Sequence, residues 1–598
     1  MPAVAKSFLR LAFWSVVFLT GLVSRSEAQP ANLTIDWEVP NRFRLFKNEA
    51  DFRKHVEAHQ SAHGSVLKAE QKLANDTHGN GWARDLGALC FDRDRGRIEE
   101  ACRRDGVTES YFNPLSHLVR MLAKLPSGWD DAQCSWVIGS GKRATILPSR
   151  PCNEPLEFRF SNKRESPVDL IAQRNDGSKL RASSKVRVKD YLVVGMGDSL
   201  ASGEGNPERP ARLADNGFCF RRLTSGTEFF VPSRAGEGFT RACPSPGEHP
   251  DEREAYEEGR AHWLYGSCHR SLYGYQARTA LALAVENRHA AVTYVPLGCT
   301  GATIAQGLLG SQPARERFSG APRDVVAQIT QLGNYIGDNK KRPVFRTADL
   351  LLLTIGANDV GFSGLVAHVM VADNADRWLL KRAGMIVTPT DADKEIPKLR
   401  RDFSRLREQL RVFVAGDLGR VVFVPYANPA QHDGGATCPT AWRGFDIHPS
   451  FQLDGNKAAE TSDFVEVKLT PTLKDLATCS ACSRSKRMQF VEDHRQEFSS
   501  HGFCASAASD PEFDRACFRN GGSFAQLGLE TPLTCPRSAT EFRAYASRAR
   551  WIRTANDSTF AAPTFAASLP RWLQALDIHD AIGGLTSVVY GGANPSDR

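Results

Sequence analysis

Three glycine-containing turns, each placed directly after an apolar run, hold the residues of this chain whose types and order could do chemistry. The first, Tyr191-Leu192-Val193-Val194-Gly195-Met196-Gly197-Asp198-Ser199-Leu200, sets a serine on a tight turn at the exit of a buried strand. A serine there stands at the carboxyl end of a sheet, where ligands of open α/β folds bind, and its glycine neighbours let a substrate approach the backbone. That is a candidate nucleophile, although the segment standing alone would read sooner as a polar strand-to-helix turn. Two further turns follow in order: Leu297-Gly298-Cys299-Thr300-Gly301-Ala302 after Val292–Pro296, and Gly356-Ala357-Asn358-Asp359 after Leu350–Ile355. A Gly-x-Ser-x-Gly elbow, the mark of the α/β-hydrolase arrangement, occurs nowhere.

With Gly-Asp-Ser-Leu first, a glycine turn second and Gly-x-Asn-Asp third, the chain resembles the SGNH (GDSL-type) hydrolase superfamily from roughly Lys189 to Arg598. The resemblance implies a flavodoxin-like three-layer α/β/α sandwich built on a parallel sheet. It also implies a secreted esterase or lipase that cleaves acyl esters, on a lipid or an acylated glycan, with no cofactor and no metal. Ser199 would be the nucleophile. The Ser199 and Gly301 backbone N–H groups and the Asn358 side chain would form the oxyanion hole. Two other readings share the site: a lipid- or glycan-binding protein with little turnover, and an acyltransferase in which a hydroxylated acceptor resolves the acyl-enzyme.

An ester-cleaving serine needs a base to take its proton and return it, and in this family that base is a histidine near the C-terminus, in Asp-x-x-His followed by proline. None of the 15 histidines has aspartate three residues before it. His289 has Glu286 there, but at the end of a predicted surface helix, where a solvated pair accounts for it. Where relatives continue Gly-Gly-Ala-apolar-His-Pro, this chain reads Gly591-Gly592-Ala593-Asn594-Pro595, so a truncated or degenerate member is expected. Two histidines could substitute. His579, in Leu576-Asp577-Ile578-His579-Asp580, has carboxylates on both sides and lies in the right part of the chain, and it is the first choice. His448, in Phe445-Asp446-Ile447-His448-Pro449, has the proline but belongs to a mid-chain insertion. Each also reads as a surface histidine bonded to its own aspartate. His501 matches a non-catalytic family segment. Losing the base would leave slow turnover, since oxyanion binding and positioning alone retain roughly 10³–10⁴-fold over water.

The elements that must position these residues alternate as strand and helix. Strands are expected at Tyr191–Met196, Val292–Leu297, Leu350–Ile355, Val421–Pro425 and Met488–Val491, with helices such as Leu272–Asn287 and Ile396–Val414 between them, which gives a parallel sheet. Long insertions at about 206–265, 362–393 and 428–476 are placed to select substrate. Ahead of this part, residues 29–188 read as an N-terminal accessory region. Its helical stretches are Glu49–Gln60 and Leu115–Leu125, and period-two alternation over about 133–188 predicts a β-sandwich-like module with a turn at Asn175-Asp176-Gly177.

Residues 1–28 have the charged, apolar and small-x-small regions of a cleaved signal peptide, ending at Ser26-Glu27-Ala28, so the expected location is secreted or periplasmic. Its removal lowers the formal charge from +8 to +6. Basic and acidic residues are interspersed, which gives nucleic acid no patch to bind, and no segment has the length of a transmembrane anchor. Fourteen cysteines in an exported chain read as disulfides. Cys479-Ser480-Ala481-Cys482 could be drawn as a zinc half-site, but the compartment favours a disulfide. By the family resemblance Cys268 in Cys-His-Arg-Ser pairs with Cys299, and Cys438 with Cys504. The N-terminal cysteines read as local pairs, Cys90 with Cys102 and Cys134 with Cys152.

Overall fold

Apolar stretches that show no alternation need cover on both faces, and those at Tyr191–Met196, Val292–Leu297 and Leu350–Ile355 form the core of a parallel sheet. The structure, a computed structural model, describes residues 32–77, 81–209, 229–230, 242–243, 262–314, 324–337, 346–371, 374–382, 384–440, 453–505 and 551. The signal peptide expected at 1–28, His448, His579 and the C-terminal segment 591–598 lie outside the described residues.

The five parallel strands are β1 (Lys189–Gly197), β2 (Ala290–Pro296), β3 (Leu350–Thr354), β4 (Val421–Phe423) and β5 (Gln489–Phe490). Their order across the sheet is β2-β1-β3-β4-β5. β1 is interior, paired on both sides: Gly195 lies opposite Pro296 of β2, and Gly197 opposite Thr354 of β3. The chain runs outward from β1 to β2 and then crosses back to β3, which puts the switch point between β1 and β3, and ligands of open α/β sheets bind outside the carboxyl ends at such a point. All five strands fall where the sequence places them.

Helices α1 (Ser199–Ser202), α2 (Tyr275–Glu286), α3 (Gln328–Ile336), α4 (Phe362–Met370), α5 (Pro389–Phe413), α6 (Gly455–Asp463) and α7 (Thr470–Thr478) connect and cover the sheet. α5 begins seven residues before its expected start at Ile396. A capping box explains this: Thr388 accepts from the Asp391 N–H, the Asp391 side chain accepts from the Thr388 N–H, and Pro389 takes the first helical position. Leu399, Phe403, Leu406, Leu410 and Phe413 recur every three or four residues and are buried.

The chain divides into two compact units, one of 1–37, 120–158 and 166–186 and one of 38–119, 159–165 and 187–598. The first contains an antiparallel sheet of Lys179–Val186, Ser166–Gln173, Gln133–Ile138 and Thr145–Ile146, in that order, with Arg150–Pro151 also paired to Gln133–Ile138. Its central hairpin turns through Asn175-Asp176-Gly177, where Gly177 has φ +88° and its N–H bonds to the Arg174 carbonyl. The turn is where the sequence predicts it.

Two expectations for the N-terminal region change. Leu115–Leu125 is not helical: Ser116–Lys124 is a strand, with His117, Val119, Met121 and Ala123 buried at alternate positions. The segment's leucines mimic helical spacing, yet its buried set has period two. Residues 38–119 also belong to the second unit, because Phe43, Phe46, Phe52, Tyr111 and Phe112 share one core with Val193, Val295 and Leu351. Among the described residues no helix is long and apolar enough to cross a membrane.

Candidate active site

β1 leaves the sheet through Gly197, whose φ of +134° and closeness to the Thr354 carbonyl, 2.0 Å from where a Cβ would stand, admit no side chain. Gln328, fully buried on α3, grips this peptide from both sides. Its Oε1 accepts from the Gly197 N–H at 2.8 Å and its Nε2 donates to the Gly197 carbonyl at 2.7 Å. Asp198 follows as the N-cap of α1, accepting from the Leu200 N–H at 3.1 Å and from the Tyr426 hydroxyl, which in turn accepts from the Ala357 N–H at 3.1 Å. Burial pushes the Asp198 carboxyl up to about 7, against the pull of those two donors.

Ser199 is half-buried at the start of α1. The Asp198 carbonyl accepts from the Ser202 N–H at 2.9 Å, so the trans peptide aims the Ser199 N–H the opposite way, out of the helix start. The same logic fixes the second donor. The Thr300 carbonyl accepts from Gln312 Nε2 at 2.9 Å, so the Gly301 N–H points away from Gln312. Gly301 has φ +81°, is exposed, and has open space where a Cβ would stand. Neither N–H has a hydrogen-bond partner among the described residues.

Asn358 begins a single 3₁₀ turn after β3 and is half-buried. Its Nδ2 donates to the Ala302 carbonyl at 2.9 Å, which ties the third turn to the second and leaves one amide proton for another acceptor. Next to it Asp359 accepts from the Ile304 N–H at 3.0 and 3.2 Å, and burial raises its carboxyl to about 6.

Ser199, Gly301 and Asn358 therefore stand at the carboxyl ends of three adjacent strands, β1, β2 and β3, whose turns are hydrogen-bonded to one another. The Cys299 N–H bonds to the Gly197 carbonyl at 3.0 Å, and the Asp198 N–H to the Thr354 carbonyl at 3.1 Å. The three turns thus bring a serine hydroxyl, two backbone N–H groups and an amide to the same end of the sheet, the groups that acyl transfer uses.

Behind the second turn, Cys268 and Cys299 are bridged. Arg270, two residues on from Cys268 and buried, donates to the Leu297 and Gly298 carbonyls at 3.1 and 2.9 Å. His269 between them is fully buried, takes φ +49°, stacks on Trp263 at 4.3 Å and donates from Nδ1 to Glu204 at 2.7 to 2.8 Å. Residue-by-residue reading of the sequence missed Glu204, Gln312, Gln328 and Tyr426. The only local signal was Gly203-Glu204-Gly205 directly after the serine turn.

Among the described residues the cysteine pairs are Cys90–Cys102, Cys134–Cys152, Cys268–Cys299, Cys438–Cys504 and Cys479–Cys482, so the Cys-x-x-Cys segment is a disulfide. Among the described residues no group of His, Cys, Asp or Glu is arranged to hold a metal. His501 stacks on Trp551 at 3.8 Å, while Glu286 lies 3.8 Å from His59. Compared with known protein families, curated proteins and solved structures, the chain matches none.

Proposed function

We propose that this chain is an exported SGNH-type serine hydrolase that cleaves carboxylic acyl esters. The observation that carries the reading is the placement of Ser199, Gly301 and Asn358 at the carboxyl ends of the adjacent strands β1, β2 and β3, on turns that are hydrogen-bonded to one another. The strand order, second-first-third-fourth-fifth along the chain, is the flavodoxin-like one and supports the finer fold assignment. The five disulfides among the described residues support an oxidising compartment.

In this mechanism the Ser199 hydroxyl attacks the ester carbonyl and passes its proton to a general base, for which His579 is the candidate. The new oxyanion takes hydrogen bonds from the Ser199 and Gly301 N–H groups and from Asn358 Nδ2. Return of the proton to the alkoxide expels the alcohol and leaves an acyl-Ser199. Water, activated by the same base, then releases the acid and restores the hydroxyl.

The test is hydrolysis of short p-nitrophenyl esters together with labelling by a fluorophosphonate. Ser199→Ala should abolish both in a folded protein. Asn358→Ala should lower kcat by about 10²–10³, the scale of one lost oxyanion donor. His579→Ala should remove most of the rate. A wild-type chain that neither hydrolyses nor labels sinks the reading in favour of binding without turnover.

A further inference from the structure

Four polar side chains buried at the serine and glycine turns form a cluster that the hydrolase reading leaves unused. Ser202 Oγ and Thr300 Oγ1 lie 3.0 Å apart, Thr300 Oγ1 meets Glu204 Oε2, and His269 Nδ1 reaches Glu204 from the other side. All four are 3% exposed or less. A carboxylate only accepts, so Thr300 gives its single proton to Glu204 and His269 donates from Nδ1. Ser202 Oγ donates its own proton to the Ser199 carbonyl at 3.0 Å and lies against Thr300 Oγ1 without a second proton to give. The link between the two turns is therefore Thr300 to Glu204, with His269 closing on the same carboxylate.

This cluster spans the two segments that carry the oxyanion donors. Ser202 and Glu204 belong to the turn of Ser199, and the Ser199 carbonyl accepts from the Gly203 and Glu204 N–H groups at 3.1 and 3.0 Å. Thr300 immediately precedes Gly301, and its N–H bonds to the Cys268 carbonyl at 3.1 Å. β1 and β2 fix the strands only as far as Gly197 and Pro296. Beyond those points the Cys299 N–H bond to the Gly197 carbonyl and the Cys268–Cys299 bridge hold the second turn, and the Thr300–Glu204 contact adds a direct side-chain tie between the segments of Ser199 and Gly301.

Resting on the hydrolase reading above, we propose that Thr300, Glu204 and His269 are positioning residues that hold the Ser199 and Gly301 N–H donors in register for a tetrahedral oxyanion. Their effect falls on the transition state, because a ground-state ester carbonyl asks less of donor placement than the developing oxyanion does. A buried carboxylate at the centre suits this task, since charge-assisted hydrogen bonds are shorter and stiffer than neutral ones.

Thr300→Val keeps the shape and removes the hydroxyl, whereas Thr300→Ser keeps the hydroxyl. In wild-type protein that hydrolyses esters, Thr300→Val should lower kcat by about tenfold to a hundredfold, the scale of misplaced catalytic groups, with KM within about threefold. Affinity for a tetrahedral alkylboronic acid should fall in parallel. Thr300→Ser should restore both. Should Thr300→Val not fold, Glu204→Gln reports instead, with the same split between kcat and KM. Unchanged kcat in both Thr300→Val and Glu204→Gln overturns the proposal, as does a loss that appears equally in KM or that Thr300→Ser does not rescue. A wild-type chain inert to esters and to fluorophosphonate overturns the hydrolase reading itself, and the proposal with it.

Discussion

Asp198 shows how much of this site is decided by one side chain's surroundings. It sits immediately before Ser199, the proposed nucleophile, 1% exposed, capping α1 and receiving the Tyr426 hydroxyl, and burial lifts its carboxyl from 3.8 to about 7. The raised value makes the folded protein hold a proton that the unfolded chain releases between those two pH values. Stability from this group is therefore complete below about 4 and declines as pH rises to about 7, beyond which it stays flat. Asp198→Asn removes the titration. Thermal melts of both proteins from pH 4 to pH 8 should show the wild type losing a few degrees relative to the variant across that window, and a constant difference would contradict the buried-acid account. The three turns were legible as turns because glycine, serine and asparagine after apolar runs mark the exits of buried strands, and it is their order along the chain, not any one of them, that points to a site. Glu204, Gln312, Gln328 and Tyr426 were not, because each acquires its role from a partner far off in sequence: Glu204 from His269, Gln312 from Thr300, Gln328 from Gly197 and Tyr426 from Asp198.

At the scale of elements, the parallel strands were legible for the reason that they are stable: buried on both faces, they read as unbroken apolar runs such as Leu350-Leu351-Leu352-Leu353. The Leu115–Leu125 segment was misread because a strand with one buried face can place its leucines at spacings that also suit a helix, and only its neighbours in the sheet decide. The turn after β2 is held by something the strands do not supply, the Cys268–Cys299 bridge, with Cys268 0% and Cys299 1% exposed. That bridge and the Thr300 N–H bond to the Cys268 carbonyl anchor the same turn to the segment before α2. Breaking the bridge frees one anchor of Gly301 while leaving the sheet register untouched. In a mild, sub-denaturing concentration of urea, added reductant should lower ester hydrolysis before near-UV circular dichroism changes. Simultaneous loss of both signals would mean that the bridge holds up the whole unit rather than its oxyanion turn.

For the whole molecule the cysteines matter in a different way, because they close loops of very different length in two separate units. Cys134–Cys152 closes 18 residues within the small antiparallel unit, and Cys438–Cys504 closes 66 within the larger one. If a disulfide acts mainly by restricting the unfolded chain, the shorter loop contributes about 3 kcal/mol and the longer about 4 kcal/mol. The location matters more than that difference. Replacing Cys134 and Cys152 by alanine should raise amide hydrogen exchange over 133–186 and leave ester hydrolysis at 25 °C as it was, since every residue of the proposed site lies in the other unit. Replacing Cys438 and Cys504 should instead lower the temperature at which hydrolysis is lost, because the loop they close lies beyond β4 and runs past β5, at the end of the sheet that carries the three turns. Equal effects of the two double replacements on the heat inactivation of hydrolysis would show that the units unfold together, and the division into an independently loosened module and a catalytic one would then be wrong.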